Sequence, residues 1–166
     1  MATRTYGQYC GVARALDMVG ERWALLIVRD LLVSPKRFTD LRQGLPGIPS
    51  NILSARLKEL EQAGVVERRV LPRPATGVVY ALTPYGAELE EVVLRLAAWG
   101  AQSLGERGPD EIITPDSMIV ALRTTFQPGA AAGGEPVAYE LRLGEIVIHA
   151  RIEDGRLESG AGPLSD

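Results

Sequence analysis

The 166-residue sequence is poor in the residues on which most enzyme and metal sites depend. It has one cysteine, Cys10, and one histidine, His149. An internal disulfide is therefore excluded, and a zinc site of the Cys/His type is not expected. The G-x-S-x-G, G-x-G-x-x-G and Walker motifs are also missing. The sequence predicts a protein that is not an enzyme and that has no metal and no cofactor.

Long apolar runs are missing as well. The longest covers residues 23–28, far short of the ~20 residues that span a bilayer. The first residues lack the apolar core of a secretory signal. Hydrophobic residues make up 46% and charged residues 23%, which is typical of a globular protein. We therefore expect a cytoplasmic protein of one or two small domains, with no membrane partner.

The net charge of −3 is distributed unevenly along the chain. Residues 1–108 hold 14 basic and 11 acidic side chains, whereas residues 109–166 hold 4 and 10. Residues 34–80 are the most basic part, with 8 basic side chains against 4 acidic ones. Such an excess indicates contact with a polyanion, but an ordinary solvated surface gives the same signal.

The order of the predicted elements is that of a winged helix-turn-helix. Hydrophobic periodicity and turn residues predict two helices within 10–33, a very short strand at 37–38 and a short helix after an N-cap at Thr39. A tight turn at 44–49 follows, and then a helix that runs from an N-cap at Ser50 to about residue 63 and is closed by Gly64. Strands are predicted at 65–71 and 78–82, and one long helix after an N-cap at Thr83.

The predicted helix over residues 50–63 has two different faces. Leu53, Leu57 and Leu60 form one stripe and should pack inward. The opposite face carries small or polar side chains that can bond base edges or phosphates, although any amphipathic surface helix would have a similar pattern. The hairpin loop adds arginines beside stiffening prolines. The predicted DNA contacts are Arg37, Thr39, Ser50, Asn51, Ser54, Ala55, Arg56, Lys58, Arg69 and Arg73; for Arg56 a structural ion pair is an equal alternative.

Six segments of the sequence together resemble the HxlR-type winged-helix regulators, which are close to the MarR-like repressors. These segments are residues 9–16, 20–27, 36–41, 45–48, 53–66 and 79–86. The resemblance implies a cytosolic homodimer that binds double-stranded DNA at a near-palindromic operator, with half-sites about 34–36 Å apart. It also implies pairing through the first helix and the long helix. The predicted interface residues are Val12, Leu16, Leu89, Val92, Leu96 and Trp99, although the tail could cover the last four instead.

Cys10 matches a position at which many members of this family carry cysteine, and some of those members sense oxidants or electrophiles. Sensing requires an exposed thiol with a lowered pKa. A small buried residue at the dimer interface is the alternative.

Residues 109–166 extend beyond the family pattern. They predict a helix at 115–126, a Gly/Ala-rich segment at 127–136, a hairpin over 137–152, a third strand near 156–158 and a frayed end from residue 159. This tail loosely resembles part of a sterol-carrier-type domain, which implies a cavity for a small apolar or aromatic effector. An appendage that stabilises the dimer is the alternative. The predicted pocket residues are Ile119, Leu122, Phe126, Leu141, Ile146 and Ile148.

The sequence thus predicts an α+β protein with a winged helix-turn-helix domain over 1–104, a linker over 105–114 and a small α+β accessory domain over 115–166. The predicted function is that of a sequence-specific transcriptional regulator that a small apolar ligand modulates. The alternative is a carrier of lipid-like molecules, or a small enzyme built on the tail, with the helical domain serving for dimerisation.

Overall fold

The structure is a computed structural model that describes residues 5–72, 74–131 and 133–165. It consists of α-helices and antiparallel β-strands. The elements are α1 (Gly11–Val19), α2 (Ala24–Val33), α3 (Phe38–Gly44), α4 (Ser50–Gln62), β1 (Val66–Val70), β2 (Val78–Leu82), α5 (Pro84–Ala87), α6 (Leu89–Ala101), α7 (Pro115–Thr125), α8 (Pro128–Ala131), β3 (Val137–Leu143), β4 (Ile146–Glu153) and β5 (Arg156–Ala161). The winged helix-turn-helix order and the α+β class agree with the prediction.

The core of the helix-turn-helix part lies where α2 meets α3, α4 and β2. Its largest fully buried apolar side chains are Ile27, Val28, Leu41, Leu45, Leu53, Leu57, Leu60 and Val65. The predicted leucine stripe of α4 is confirmed, since its three leucines are at most 1% exposed. Truncating one such leucine to alanine typically costs about 2–5 kcal/mol, so this stripe fixes the orientation of α4.

A glycine ends α4 as the sequence predicts. Gly64 has φ of +72°, a conformation that glycine adopts without strain. Its N–H donates to the carbonyl of Glu61, and the N–H of Val65 donates to the carbonyl of Leu60 at 2.9 Å. This is a Schellman motif, in which the buried Leu60 and Val65 accompany the paired hydrogen bonds. It turns the chain directly into the wing.

The wing is the hairpin of β1 and β2, paired from Val66 with Leu82 to Val70 with Val78. A short bridge between Lys36 and Tyr80 adds a third chain segment at its edge. The very short strand predicted at residues 37–38 is therefore misplaced, because the bridging residue lies one position earlier.

The start of α3 also differs from the prediction. Arg37, and not Thr39, is the N-cap residue, and Thr39 lies within the first turn. The reason is that the Asp40 carboxylate accepts the Arg37 backbone N–H at 2.8 Å, which satisfies the helix end from inside the helix. The start of α4 shifts in the same direction, since Pro49 is the N-cap and Ser50 is the first helical residue.

The long helix predicted after Thr83 is two helices, α5 and α6, separated at Glu88. The Thr83 cap is confirmed, because its hydroxyl accepts the Gly86 N–H at 3.0 Å and donates to the Gly64 carbonyl at 2.6 Å. A Cβ on Gly86 would lie 2.0 Å from the carbonyl oxygen of Val65. These contacts hold α5 against the end of α4. The apolar stripe of the sequence does not predict the break between α5 and α6 at Glu88.

The tail forms a three-stranded antiparallel sheet in the order β3-β4-β5, with α7 packed on β4 and β5. Ile119 of α7 and Ile148 of β4 are at most 1% exposed. The predicted hairpin and third strand are confirmed. The expected fraying from residue 159 is wrong up to Ala161, because β5 continues to pair with β4 as far as Ile148.

The chain divides into two compact units between Glu90 and Glu91. This boundary lies inside α6, earlier in the chain than the predicted linker over 105–114, and the predicted domain limits remain a prediction. No helix among the described residues is long and apolar enough to cross a membrane.

Candidate nucleic-acid interface

The outward face of α4 carries polar side chains that have no protein partner in the described ranges. Asn51, Ser54 and Lys58 are exposed, and none of them makes a hydrogen bond or ion pair to residues 5–72, 74–131 or 133–165. Ser50 is exposed at the start of the same helix, and the small Ala55 is half-buried. This face therefore keeps its hydrogen-bonding groups available for an external partner.

These residue types can distinguish bases. An asparagine amide bonds adenine bidentately, a serine hydroxyl reaches a base or a phosphate, and a lysine meets guanine or phosphate. The first turn of α4 adds backbone N–H groups, since no side chain caps it, and such a helix end attracts phosphate. The arrangement can do what a recognition helix must do in the major groove.

Arg56 lies on the side of α4 and is held by carboxylates. Its guanidinium pairs with Glu21 at 3.5 Å and with Glu59 on the same helix, and its side chain is 15% exposed. Of the two roles that the sequence left open, this geometry matches the structural ion pair.

Two further predicted cations are also engaged by the protein. Arg69 of β1 pairs with Glu67 at 2.6 Å on the same face of the strand. Arg37 donates to the carbonyl of Thr76 at 2.7 Å. Thr39 is exposed, with its hydroxyl 3.5 Å from Asp40. Arg73, predicted at the tip of the wing, lies outside the described residues.

Two exposed arginines in the helix-turn-helix part escaped the sequence analysis. Arg42 is exposed on α3, and Arg22 is exposed with its guanidinium 5.4 Å from the ring centre of Trp23. Arg22, Trp23, Pro49 and Arg56 help to line an open cleft of about 350 Å³ beside the start of α4. The charge of Arg22 was visible in the sequence, but its nearness to α4 depends on tertiary packing.

Cys10 is exposed at the N-cap of α1. The backbone amides of Ala13, and then of Val12, lower the pKa of its thiol. Both of the conditions stated for sensing, exposure and a lowered pKa, are present in the single chain.

The predicted dimer residues are largely exposed. Val12 and Leu16 on α1 are 69% and 43% exposed, and Val92, Leu96 and Trp99 on α6 are 54%, 44% and 71% exposed. Leu89 is half-buried. Each of the two helices thus presents apolar side chains to solvent within the single chain.

The predicted effector residues differ in burial, and their role in a pocket stays a prediction. Ile119 and Ile148 are core residues between α7 and the sheet, while Leu122, Phe126 and Leu141 are half-buried. An open cleft of about 580 Å³ lies nearby in the tail, and of the predicted set it contains Ile146. Its other lining residues are Arg107, Glu111, Ile112, Ile113, Leu143 and Gly144.

His149 is packed within the tail sheet. Its Nδ1 lies 3.2 Å from the Gly162 carbonyl, and a Cβ on Gly160 would lie 2.8 Å from the ring. No group of three or more metal-ligating side chains occurs among the described residues.

Comparison with known proteins places this geometry among regulators. Residues 18–107 match the family described as HxlR-like helix-turn-helix. The HTH-type transcriptional regulator YodB of Bacillus subtilis (strain 168) is 42% identical over 88 residues, which are 53% of this chain and 79% of YodB.

Solved structures of regulators share the fold of the same part of the chain. The redox regulator HypR in its oxidised form has a TM-score of 0.54 and 33% identity, covering 58% of this chain and 99% of HypR. The reduced form of YodB has a TM-score of 0.51 and 37% identity, covering 61% of this chain and all of that chain. The family match ends at residue 107, so the loose resemblance of the tail to a sterol-carrier-type domain stays a prediction.

Proposed function

The chain belongs to the HxlR-like helix-turn-helix family, and from this premise we propose that it binds a near-palindromic operator as a homodimer. It is a DNA-binding transcriptional regulator, as its matched relatives are, and those relatives are not enzymes. In the proposed complex α4 enters the major groove, and the β1–β2 wing lies against the neighbouring backbone or minor groove.

One observation carries this proposal. The leucine stripe of α4 is fully buried, while Asn51, Ser54 and Lys58 on the opposite face are exposed and unpartnered within the described residues. An amphipathic helix with only a structural role needs one packed face, and the side chains on its polar face can be of any size. Here the polar face is built from short or flexible groups, which let the helix backbone approach a duplex.

A homodimer is supported by the exposed apolar side chains of α1 and α6. Leaving Val12, Val92 and Trp99 more than half exposed is costly in water, because apolar area contributes roughly 25 cal/mol per Å² when it is buried. A second copy related by a two-fold axis would cover these residues and place two α4 helices on successive major grooves, about 34–36 Å apart.

The experiment is selection of bound fragments from genomic DNA at a stated salt concentration, followed by variants of α4. Asn51→Ala and Lys58→Ala should each weaken operator binding by about 1–3 kcal/mol, as expected for loss of a base contact. Arg156→Ala is the matched control, because it removes the same charge from an exposed position on β5. If the wild-type protein selects no fragment, or if the α4 variants bind as the control does, the proposal fails.

Two modes of regulation accompany this proposal. The exposed Cys10 thiol with its lowered pKa supports oxidant sensing, and the similar HypR is described as a redox regulator. The open cleft of the tail supports binding of a small apolar or aromatic effector. To act as a switch, either signal has to change the free energy of the DNA-binding state and that of the non-binding state by different amounts.

A further inference from the structure

Arg37 connects the first helix of the helix-turn-helix to the wing. It is the N-cap residue of α3, and its backbone N–H is taken by Asp40 at 2.8 Å. Its side-chain Nη2 donates to the carbonyl of Thr76 at 2.7 Å. Thr76 lies 39 positions later in the chain, in the loop between β1 and β2. The contact therefore joins two segments that are distant in sequence.

Gly77 supplies the space that this contact occupies. A Cβ at Gly77 would lie 2.9 Å from Nη1 and 3.3 Å from Cζ of Arg37. The φ of Gly77 is +121°, a conformation that side-chain-bearing residues rarely adopt. Arg37 and Gly77 thus form a matched pair, in which the guanidinium fills the position that glycine leaves open.

The middle of the wing is joined to the same segment through the backbone, at Tyr80 of β2. Lys36 and Tyr80 exchange two hydrogen bonds, of 2.9 Å and 2.7 Å. Toward the tip, the N–H of Leu71 donates to the Gly77 carbonyl at 2.9 Å and closes the loop. The wing is therefore attached at the middle of β2 by Lys36 and near its tip by Arg37.

We propose that Arg37 is a positioning residue for DNA recognition, which holds the loop of the wing in a fixed place relative to α3. This inference rests on the proposed operator binding, and it reassigns a residue that the sequence alone predicted as a phosphate contact. A wing that is already ordered loses less conformational entropy on binding than a mobile one. Without the contact, Thr76 and Gly77 lose their link to α3, while the backbone pairing of Lys36 with Tyr80 remains.

The first test measures the wing without DNA. Amide hydrogen exchange of Leu71 and of residues 75–79 should become roughly tenfold faster in Arg37→Gln, as expected when one hydrogen bond to a charged group is lost. Gly77→Ala should have the same effect, because the added Cβ displaces the guanidinium. Arg42→Gln is the matched control, since it removes an exposed arginine from the same helix. Unchanged exchange in both Arg37→Gln and Gly77→Ala would overturn the proposal.

The second test measures operator affinity in a double-mutant cycle. Arg37→Gln and Gly77→Ala should each weaken binding, and the double variant should lose less than the product of the two single losses. Arg37→Lys should behave like Arg37→Gln, because an ammonium lacks the planar fork of guanidinium. If Arg37→Lys restores full affinity, or if the two losses multiply, Arg37 is a phosphate contact and the proposal is wrong. If the wild-type protein binds no operator, the proposed function fails, while the exchange experiment still decides whether the tether exists.

Discussion

At the scale of the residue, a cation near the DNA face has a different role according to its neighbours. Lys58 has no partner among the described residues, whereas Arg56 and Arg69 face carboxylates at 3.5 Å and 2.6 Å. A paired arginine must give up its carboxylate before it can meet a phosphate. The basic excess over residues 34–80 therefore overstates the cations available to DNA, since a count of charges cannot see which of them are already paired.

The reactivity of Cys10 is a prediction at the same scale. The amides of Ala13 and Val12 lower the pKa of its thiol in the folded chain, so more thiolate is present at a given pH than in the unfolded chain. A plot of iodoacetamide alkylation rate against pH should therefore have its midpoint at a lower pH for the native protein than for the protein in urea. Cys10 is the only thiol, so all alkylation reports on it. Equal midpoints would remove the basis for sensing by this residue.

At the scale of the element, helix ends show where pattern and packing agree. Gly64 after α4 and Thr83 before α5 were predicted from local signals, and each makes the capping hydrogen bonds expected of its residue type. Thr39 is an equally good cap by residue type, yet Arg37 takes the position because Asp40 satisfies its N–H. The sequence correctly predicted that a helix begins here, but it placed the N-cap two residues too far along the chain. The reason is that the Asp40 carboxylate, inside the helix, satisfies the start of the helix in place of the Thr39 hydroxyl.

The tail sheet gives the prediction that belongs to this scale. The open cleft is lined by Ile112 and Ile113, which precede α7, and by Leu143, Gly144 and Ile146 around the turn that joins β3 and β4. We expect an aromatic or acyl compound that binds there to stabilise the fold by about 2.7 kcal/mol at 100 times its Kd, seen as a rise in Tm.

A pair of variants on β3 locates the binding. Leu143→Glu places a charge in the cleft and should abolish the rise in Tm, whereas Val137→Glu lies on the same strand outside the cleft and should retain it. The two side chains have similar exposure, 44% and 40%. If no compound in a broad aromatic and acyl screen raises Tm, the result contradicts the effector proposal and favours the alternative of a dimer-stabilising appendage.

At the scale of the whole molecule, the proposed dimer predicts a link between assembly and DNA binding. Leu96→Glu on α6 should convert a dimer to a monomer in light scattering, because it buries a charge in the proposed interface. Operator affinity should fall by about 100-fold or more, since the two half-sites then bind independently. Leu104→Glu is the matched control, as this leucine is 77% exposed and lies outside α6. A wild-type monomer, or dissociation by both variants alike, would contradict the proposed interface.

The sequence by itself determined the order of helices and strands, the inward leucines of α4, the Gly64 and Thr83 helix ends and the family. The elements, the leucine stripe and the helix ends follow from periodicity and from hydrogen bonds between residues close in the chain, whereas the family follows from the resemblance of six segments. The tertiary structure alone decided which cations are paired, where the helix after Thr83 breaks, and that Arg37 meets Thr76 and Gly77. The pairs Arg56–Glu21 and Arg37–Thr76 join residues tens of positions apart, so they depend on where the packed core places the two segments.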